Sequence, residues 1–162
     1  MKKITVPLSV SGITQLQGAV KKYRLWQEQK AAELLDRLAL LGASTASVRF
    51  ARAIYTGLKD VNVTVEPITN GYVIKAEGES VLFLEFGSGI RYGSGHPENA
   101  KYGMGPGTYP SEKGNWDNPN GWYIPKDRGG GHTYGNPPAM AMYEARKAIE
   151  QELVRIVKEV FV

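Results

Sequence analysis

The stretch VNVTVEPITNGYVIKAE, from Val61 to Glu77, decides the fold class. Apolar and polar residues alternate on both sides of Asn70-Gly71, which is the pattern of half-buried strands. An Asn-Gly pair between two such runs favours a tight turn with positive backbone φ angles. The sequence therefore predicts an antiparallel β-hairpin.

Helical periodicity precedes the hairpin. A first helix is predicted from about residue 14 to residue 41, and we expect Gly42 to end it. Its apolar residues fall mostly on one face, namely Leu16, Val20, Tyr23, Leu34, Leu38 and Leu41. Ser44 is a suitable N-cap for a second helix that ends at Gly57.

The two ends of the chain carry further signals. Residues 3 to 10, which include Pro7, alternate roughly and predict a short edge strand. An amphipathic C-terminal helix is expected to open at Pro137-Pro138, because proline is accepted in a first helical turn. The apolar run from Ser80 to Phe86 is too short for periodicity to separate strand from helix.

Together these elements predict one α+β domain over residues 1–162. It comprises a long N-terminal helix, a second helix, a small antiparallel sheet with the hairpin, and the C-terminal amphipathic helix. A long insertion rich in glycine, proline and aromatic residues occupies about residues 87–137, without a periodic segment. A chain of this length buries a core of its own.

Composition excludes some classes of site. The chain has no cysteine, so disulfides, thiolate metal sites and thiol nucleophiles are absent. The formal charge of +4 is spread along the chain, which is weak evidence for a nucleic-acid partner. We expect neither a signal peptide nor a membrane span, because no run of about 18 apolar residues occurs.

The segment FLEFGSGIRYG, from Phe83 to Gly93, places one glutamate between an apolar run and Gly-Ser-Gly. A nucleotide loop would need a helix directly after the glycines, and a Walker loop also needs Lys-Ser or Lys-Thr. Glu85 could act as a general acid, point outward, or pair with Arg91. Because no second carboxylate stands at a diagnostic spacing, we expect no catalytic residue and no cofactor.

The insertion offers two further candidates. His96 and His132 lack a metal-binding spacing, so we expect no metal site. Trp116, Trp122 and the adjacent Tyr123 suit either a platform for a sugar or base, or anchors at a protein interface. We favour anchors, because rigid aromatic side chains are enriched at interfaces.

Two short motifs give a family resemblance. Glu85-Phe86-Gly87-Ser88 follows the hairpin, and Asn136-Pro137-Pro138-Ala139-Met140 opens the last helix. With the helices before the hairpin, this order resembles the head-tail connector and tail-completion family of long-tailed bacteriophages, the gene-product-ten-like minor tail components of lambdoid phages. Met140 and Met142 stand where many relatives have phenylalanine and proline, and the insertion is longer than usual.

The resemblance implies a non-enzymatic virion protein at the neck, assembled in the bacterial cytoplasm as a homo-oligomeric ring of sixfold or twelvefold symmetry. Such a ring joins the capsid connector to the tail tube and lets DNA pass. Its partners would be head-closure or adaptor, tail-terminator and tail-tube proteins. The implied assembly residues are Glu85, Phe86, Gly87, Ser88, Arg91, Trp116, Trp122, Tyr123, Asn136, Pro137, Pro138 and Met140.

Within this interpretation, Glu85 orients the FGSG turn by hydrogen bonds or a salt bridge, and Pro137-Pro138 stiffen the return into the last helix. One alternative is a carbohydrate- or cell-wall-binding or hydrolysing protein that uses Glu85 and the Trp116–Trp122 loop. Another is a nucleic-acid-binding module, for which the basic residues would be Arg91, Lys101, Lys113, Lys126 and Arg128.

Overall fold

The computed structural model describes residues 3–106 and 117–162 and has the predicted α+β fold. The longer elements are α1 (Val10–Arg52), β1 (Asn62–Ile68), β2 (Gly71–Glu77), α2 (Val81–Phe86) and α4 (Ala141–Phe161). Between α2 and α4 lie α3 (Gly89–Tyr92), β3 (Trp122–Tyr123), β4 (His132–Thr133) and two 3-10 turns at Ala100–Tyr102 and Lys126–Arg128. The order is therefore one long helix, a hairpin, a segment of short elements and a terminal helix.

The two predicted N-terminal helices form one continuous helix, so the prediction that Gly42 ends the first helix is wrong. Gly42 is buried inside α1, and a Cβ built there would lie 2.4 Å from Ile74 Cδ1 and 2.7 Å from Ile149 Cδ1. Glycine costs a helix interior about 1 kcal/mol relative to alanine. Here it lets the hairpin and α4 approach the helix axis, and this packing offsets the cost.

Ser44, predicted as an N-cap, donates its hydroxyl to the Leu41 carbonyl inside α1 at 2.9 Å. The predicted end at Gly57 is also wrong, because α1 ends at Arg52 and Ala53 takes extended backbone angles.

The predicted edge strand at residues 3–10 is wrong as well, since residues 3–9 form no strand and α1 begins at Val10. The Ser9 hydroxyl accepts a hydrogen bond from the Gly12 backbone N–H at 3.1 Å, which is an N-cap interaction. The Pro7 carbonyl accepts from the Ser9 backbone N–H at 2.9 Å and turns the chain into the helix.

The hairpin is confirmed, with Asn62 opposite Glu77 and Ile68 opposite Gly71. Its turn differs from the prediction: the two linking residues are Thr69 and Asn70, and neither Asn70 nor Gly71 has a positive φ. The hairpin packs on the C-terminal half of α1, where Ile74 lies against Gly42. The buried cluster that results contains Ala46, Phe50, Ala53, Leu84, Ala141 and Ala145.

The run from Ser80 to Phe86 is helical, which settles the choice that periodicity left open. The segment after it contains more structure than the sequence suggested. Gly89–Tyr92 forms a helical turn, and β3 pairs antiparallel with β4 through Trp122 opposite Thr133. The described part of the predicted loop insertion therefore contains short elements of one turn or two residues, which a search for periodic segments does not detect.

Helix α4 runs antiparallel to α1. At one end of the contact between the two helices, Arg49 Nη2 lies 3.6 Å from Glu144 Oε2. At the other end, the Trp26 and Phe161 rings meet edge to face, with their centroids 5.9 Å apart. Residues 10–25 of α1 lie beyond that last contact. Within residues 3–106 and 117–162, no helix is both long and apolar enough to cross a membrane.

Candidate functional site

Glu85 caps the N-terminus of α4 from a distance in sequence. Its side chain is only 6% exposed; Oε2 accepts from the Met142 backbone N–H at 2.8 Å, and Oε1 accepts from that of Tyr143 at 3.0 Å. The first N–H groups of a helix have no partner within the helix, and the N-terminus carries a partial positive charge. A carboxylate there satisfies both requirements.

His96 is the third group that meets this carboxylate. Its Nε2 lies 3.4 Å from Glu85 Oε1, and its Nδ1 accepts from the Glu98 backbone N–H at 3.1 Å. Since Nδ1 is an acceptor, the proton of the neutral ring sits on Nε2 and points at Glu85. The ring packs between Phe86 and Tyr143, at centroid distances of 4.5 and 5.4 Å.

A second contact joins the two sequence motifs. The Ser88 hydroxyl donates to Asn136 Oδ1 at 2.5 Å, across 48 residues of chain, and accepts from the Asn136 backbone N–H at 3.2 Å. Asn136 Nδ2 donates to the Phe83 carbonyl at 2.8 Å. Both Ser88 and Asn136 are buried, so these bonds are shielded from water.

Gly87 and Gly89 allow the two motifs to approach closely. Both residues have φ of +77°, a conformation that side chains disfavour. A Cβ on Gly87 would lie 2.9 Å from the Asn136 carbonyl oxygen, and one on Gly89 would lie 2.6 Å from that of Tyr134. The glycines of the FGSG element are therefore needed for contact with the NPPAM element.

The two prolines precede α4 and do not lie in its first turn, which corrects the predicted helix start. The Ala139 backbone N–H donates to the Leu84 carbonyl at 2.7 Å, and that of Met140 donates to the Glu85 carbonyl at 3.2 Å. Met140 then takes a left-handed conformation, with φ of 52°, before α4 begins at Ala141. Residues 139 and 140 therefore give hydrogen bonds to two carbonyls at the end of α2 before the chain enters α4.

We call this arrangement the motif clasp and define it as Glu85, Ser88, His96 and Asn136 with the N-terminus of α4. Of the predicted assembly residues, it brings together Glu85, Phe86, Gly87, Ser88, Asn136, Pro137, Pro138 and Met140. His96 and Tyr143 were not among the predicted residues. A lone histidine between Gly95 and Pro97 gives no local signal that it will contact Glu85.

The remaining predicted residues lie elsewhere. Arg91 does not pair with Glu85, because its guanidinium carbon lies 3.9 Å from the centroid of the Tyr134 ring. Tyr123 is 80% exposed and meets the His132 ring edge to face at 4.9 Å. Trp122 is half-buried in β3, and Trp116 falls outside the described residues.

A smaller polar contact closes the base of the hairpin. Asp60 accepts from the Glu79 and Ser80 backbone N–H groups at 2.6 and 2.9 Å, and from the Ser80 hydroxyl at 2.5 Å. Burial raises the pKa of Asp60, but these hydrogen bonds together outweigh it and hold the pKa below its ordinary value. The contact joins the segment before β1 to the start of α2.

The hydrogen bonds of the Glu85 carboxylate are made within the protein. Both oxygens of Glu85 are used by donors of the protein itself, and the side chain is closed to solvent. Among the described residues, no three His, Asp or Glu side chains are grouped as metal ligands. Comparison with protein-family models, with curated proteins and with solved structures returned no match.

Proposed function

We propose that the protein is a structural component of the head-tail junction of a tailed bacteriophage and assembles as a homo-oligomeric ring. The observation that carries the proposal is the contact between the two motifs on which the family resemblance rests. Glu85 of the first motif caps the helix that the second motif opens, and Ser88 bonds to Asn136. A structural role explains why these residue types occur together.

The exposed surface supports assembly with copies or partners. The chain has an accessible surface of 11098 Å², whereas a compact monomer of 17.8 kDa exposes about 8,000 Å². An excess of about 3,000 Å² leaves room for contacts on two sides of the subunit, each of the standard size of about 800 Å² per partner. A ring subunit has two such sides, one for each neighbour.

An open groove of about 670 Å³ next to the clasp is a suitable contact surface for a neighbour. It is lined by Val48, Arg49, Arg52, Ile54, Pro137 and Pro138. The Arg49 guanidinium donates to the Ala139 carbonyl at 3.1 Å. Both residues line the groove, and Ala139 lies in the segment between Asn136 and α4, so the groove adjoins the clasp. A mixed lining of apolar groups and arginine is typical of the centre of protein interfaces.

The hydrolase alternative finds less support. A general acid must reach its substrate, and Glu85 is buried with its oxygens bonded to backbone N–H groups. For a nucleic-acid module the basic side chains would face solvent as one patch, whereas Arg128 pairs with Glu79 at 3.1 Å and Lys101 lies 3.8 Å from Glu98. We therefore place the ring interpretation first.

In vitro complementation tests the proposed function. An extract of cells infected with a phage that lacks this gene should contain filled heads and separate tails, and adding the purified protein should join them into infectious particles. Heads and tails that join without the protein would overturn the proposal. A matched addition of the Asn136→Ala variant tests whether the clasp is needed for joining.

A further inference from the structure

The chain contains the same reactive pair of residues twice, in two different settings. Asn70-Gly71 lies at the tip of the hairpin in the stretch TNGY, and Asn120-Gly121 precedes β3 in the stretch PNGW. In each stretch an aromatic residue follows the glycine. Because the local sequences are so similar, a difference in the chemistry of the two pairs has to come from the fold.

An Asn-Gly pair can react with itself, because the glycine nitrogen and the asparagine Cγ can close a five-membered ring. The glycine nitrogen attacks Cγ and forms a new C–N bond, the Cγ–Nδ2 bond breaks, and ammonia leaves with the proton of the glycine N–H. Water then opens the resulting succinimide at one of its two carbonyls, which gives aspartate or isoaspartate. The rate depends on how readily the side chain and the next nitrogen reach this geometry.

The fold leaves Asn70 free to reach that geometry. Asn70 is exposed, and its side chain makes no hydrogen bond to any residue that the structure describes. A Cβ built on Gly71 would meet nothing within 4 Å, so the space beside the attacking nitrogen is open. Gly71 pairs with Ile68 as the last pair before the turn, and such an end pair opens at a small cost in free energy.

Asn120 is held in place by its neighbours. Its backbone N–H donates to Asn118 Oδ1 at 2.9 Å, and the N–H of Gly121 donates to the Asn118 carbonyl at 3.0 Å. Gly121 is buried with φ of +76°, and a Cβ there would overlap the Thr133 carbonyl oxygen. The nitrogen that would attack is therefore already bonded and packed, and the peptide before it can rotate only if these contacts break.

We propose that Asn70 is a site of spontaneous deamidation in the folded protein and that the hydrogen bonds around Asn120 protect it from the same reaction. The reaction replaces a neutral amide by a carboxylate at the tip of the hairpin. In the isoaspartate product the main chain also gains one methylene group. Since the length of a turn sets the register of its hairpin, this product loosens the pairing of Ile68 with Gly71. The reaction needs only the hairpin and water, so it does not depend on ring assembly.

Peptide mapping of the aged protein tests the site. The full chain is incubated in mildly alkaline buffer, digested, and analysed by mass spectrometry with electron-transfer fragmentation, which distinguishes isoaspartate from aspartate. Asn70 should react about ten times faster than Asn120, the factor that follows when two hydrogen bonds of small net stabilisation must break first. In urea, where the fold is lost, the two asparagines should react at similar rates.

Two variants sharpen the test. Asn70→Gln should abolish the product at the hairpin, because a glutamine would have to close a less favourable six-membered ring. Gly71→Ala should slow the reaction and leave the hairpin folded, because its Cβ crowds the attacking nitrogen but meets nothing within 4 Å beyond its chain neighbours. Equal rates for the two asparagines in the folded protein would overturn the proposal. So would a folded protein in which Asn70 stays intact while the urea-treated chain reacts.

Discussion

Replacing Glu85 by glutamine tests the clasp with the smallest change of shape. All three polar neighbours of the carboxylate are donors: the Met142 N–H, the Tyr143 N–H and the His96 Nε2–H. A glutamine has one acceptor oxygen. In its better orientation that oxygen keeps the bonds to Tyr143 and His96, and its NH₂ group then faces the N–H of Met142.

The cost follows from these contacts. Losing one hydrogen bond to a charged acceptor costs about 1.5–3 kcal/mol, and losing the negative charge at the N-terminus of α4 costs about 0.3–1 kcal/mol more. We expect Glu85→Gln to lower the free energy of unfolding by about 3 kcal/mol. For a domain of this size, that corresponds to a fall in Tm of about 10 °C.

Urea denaturation followed by circular dichroism measures the effect. The control is Glu150→Gln, which makes the same chemical change on an exposed face of α4, 3.7 Å from Arg146. We expect the control to change the free energy by less than about 0.5 kcal/mol. A Glu85→Gln protein as stable as the control would refute the capping role. If it also lost a hydrolytic activity of the wild type, the enzyme alternative would be supported.

Three further outcomes are expected. Asn136→Ala removes a buried donor and acceptor and should lower the free energy of unfolding by about 2–3 kcal/mol in the same urea assay; no change would contradict its role. Gly18→Ala should stabilise the protein by about 1 kcal/mol, because a Cβ there meets nothing within 4 Å, whereas Gly42→Ala should destabilise it by about 1 kcal/mol, because its Cβ must displace Ile74. A thermal-melting comparison in which both alanines acted alike would contradict this account. Folding lowers the pKa of Asp60, so its contribution to stability is complete above the ordinary value of 3.8 and is lost as the pH falls through the lowered pKa. Asp60→Asn should therefore make the free energy of unfolding less sensitive to acid. An unchanged dependence of that free energy on pH would exclude this contact as the source.

Local patterns predicted the elements that depend on local chemistry. The hairpin follows from alternation on either side of a turn, and α4 follows from its amphipathic stripe. Gly42 misled the prediction because its cost is a local property, while the benefit comes from Ile74 and Ile149, which are distant in sequence. A single sequence does not reveal such a contact.

The clasp was predicted only in part for the same reason. The glycines and prolines of the two motifs mark unusual backbone, and Glu85 stands out as a lone charge in an apolar run. That Glu85 caps α4, 57 residues further along the chain, depends on tertiary contact and has no local signal. The pairing of His96 with Glu85 is hidden in the same way.

Ring assembly is the central claim, and native mass spectrometry of the full chain, with class averages from electron microscopy, tests it most directly. We expect a closed particle with sixfold or twelvefold symmetry, whose mass is the matching multiple of 17.8 kDa. A protein that remains a single 17.8 kDa chain at micromolar concentration would contradict the account.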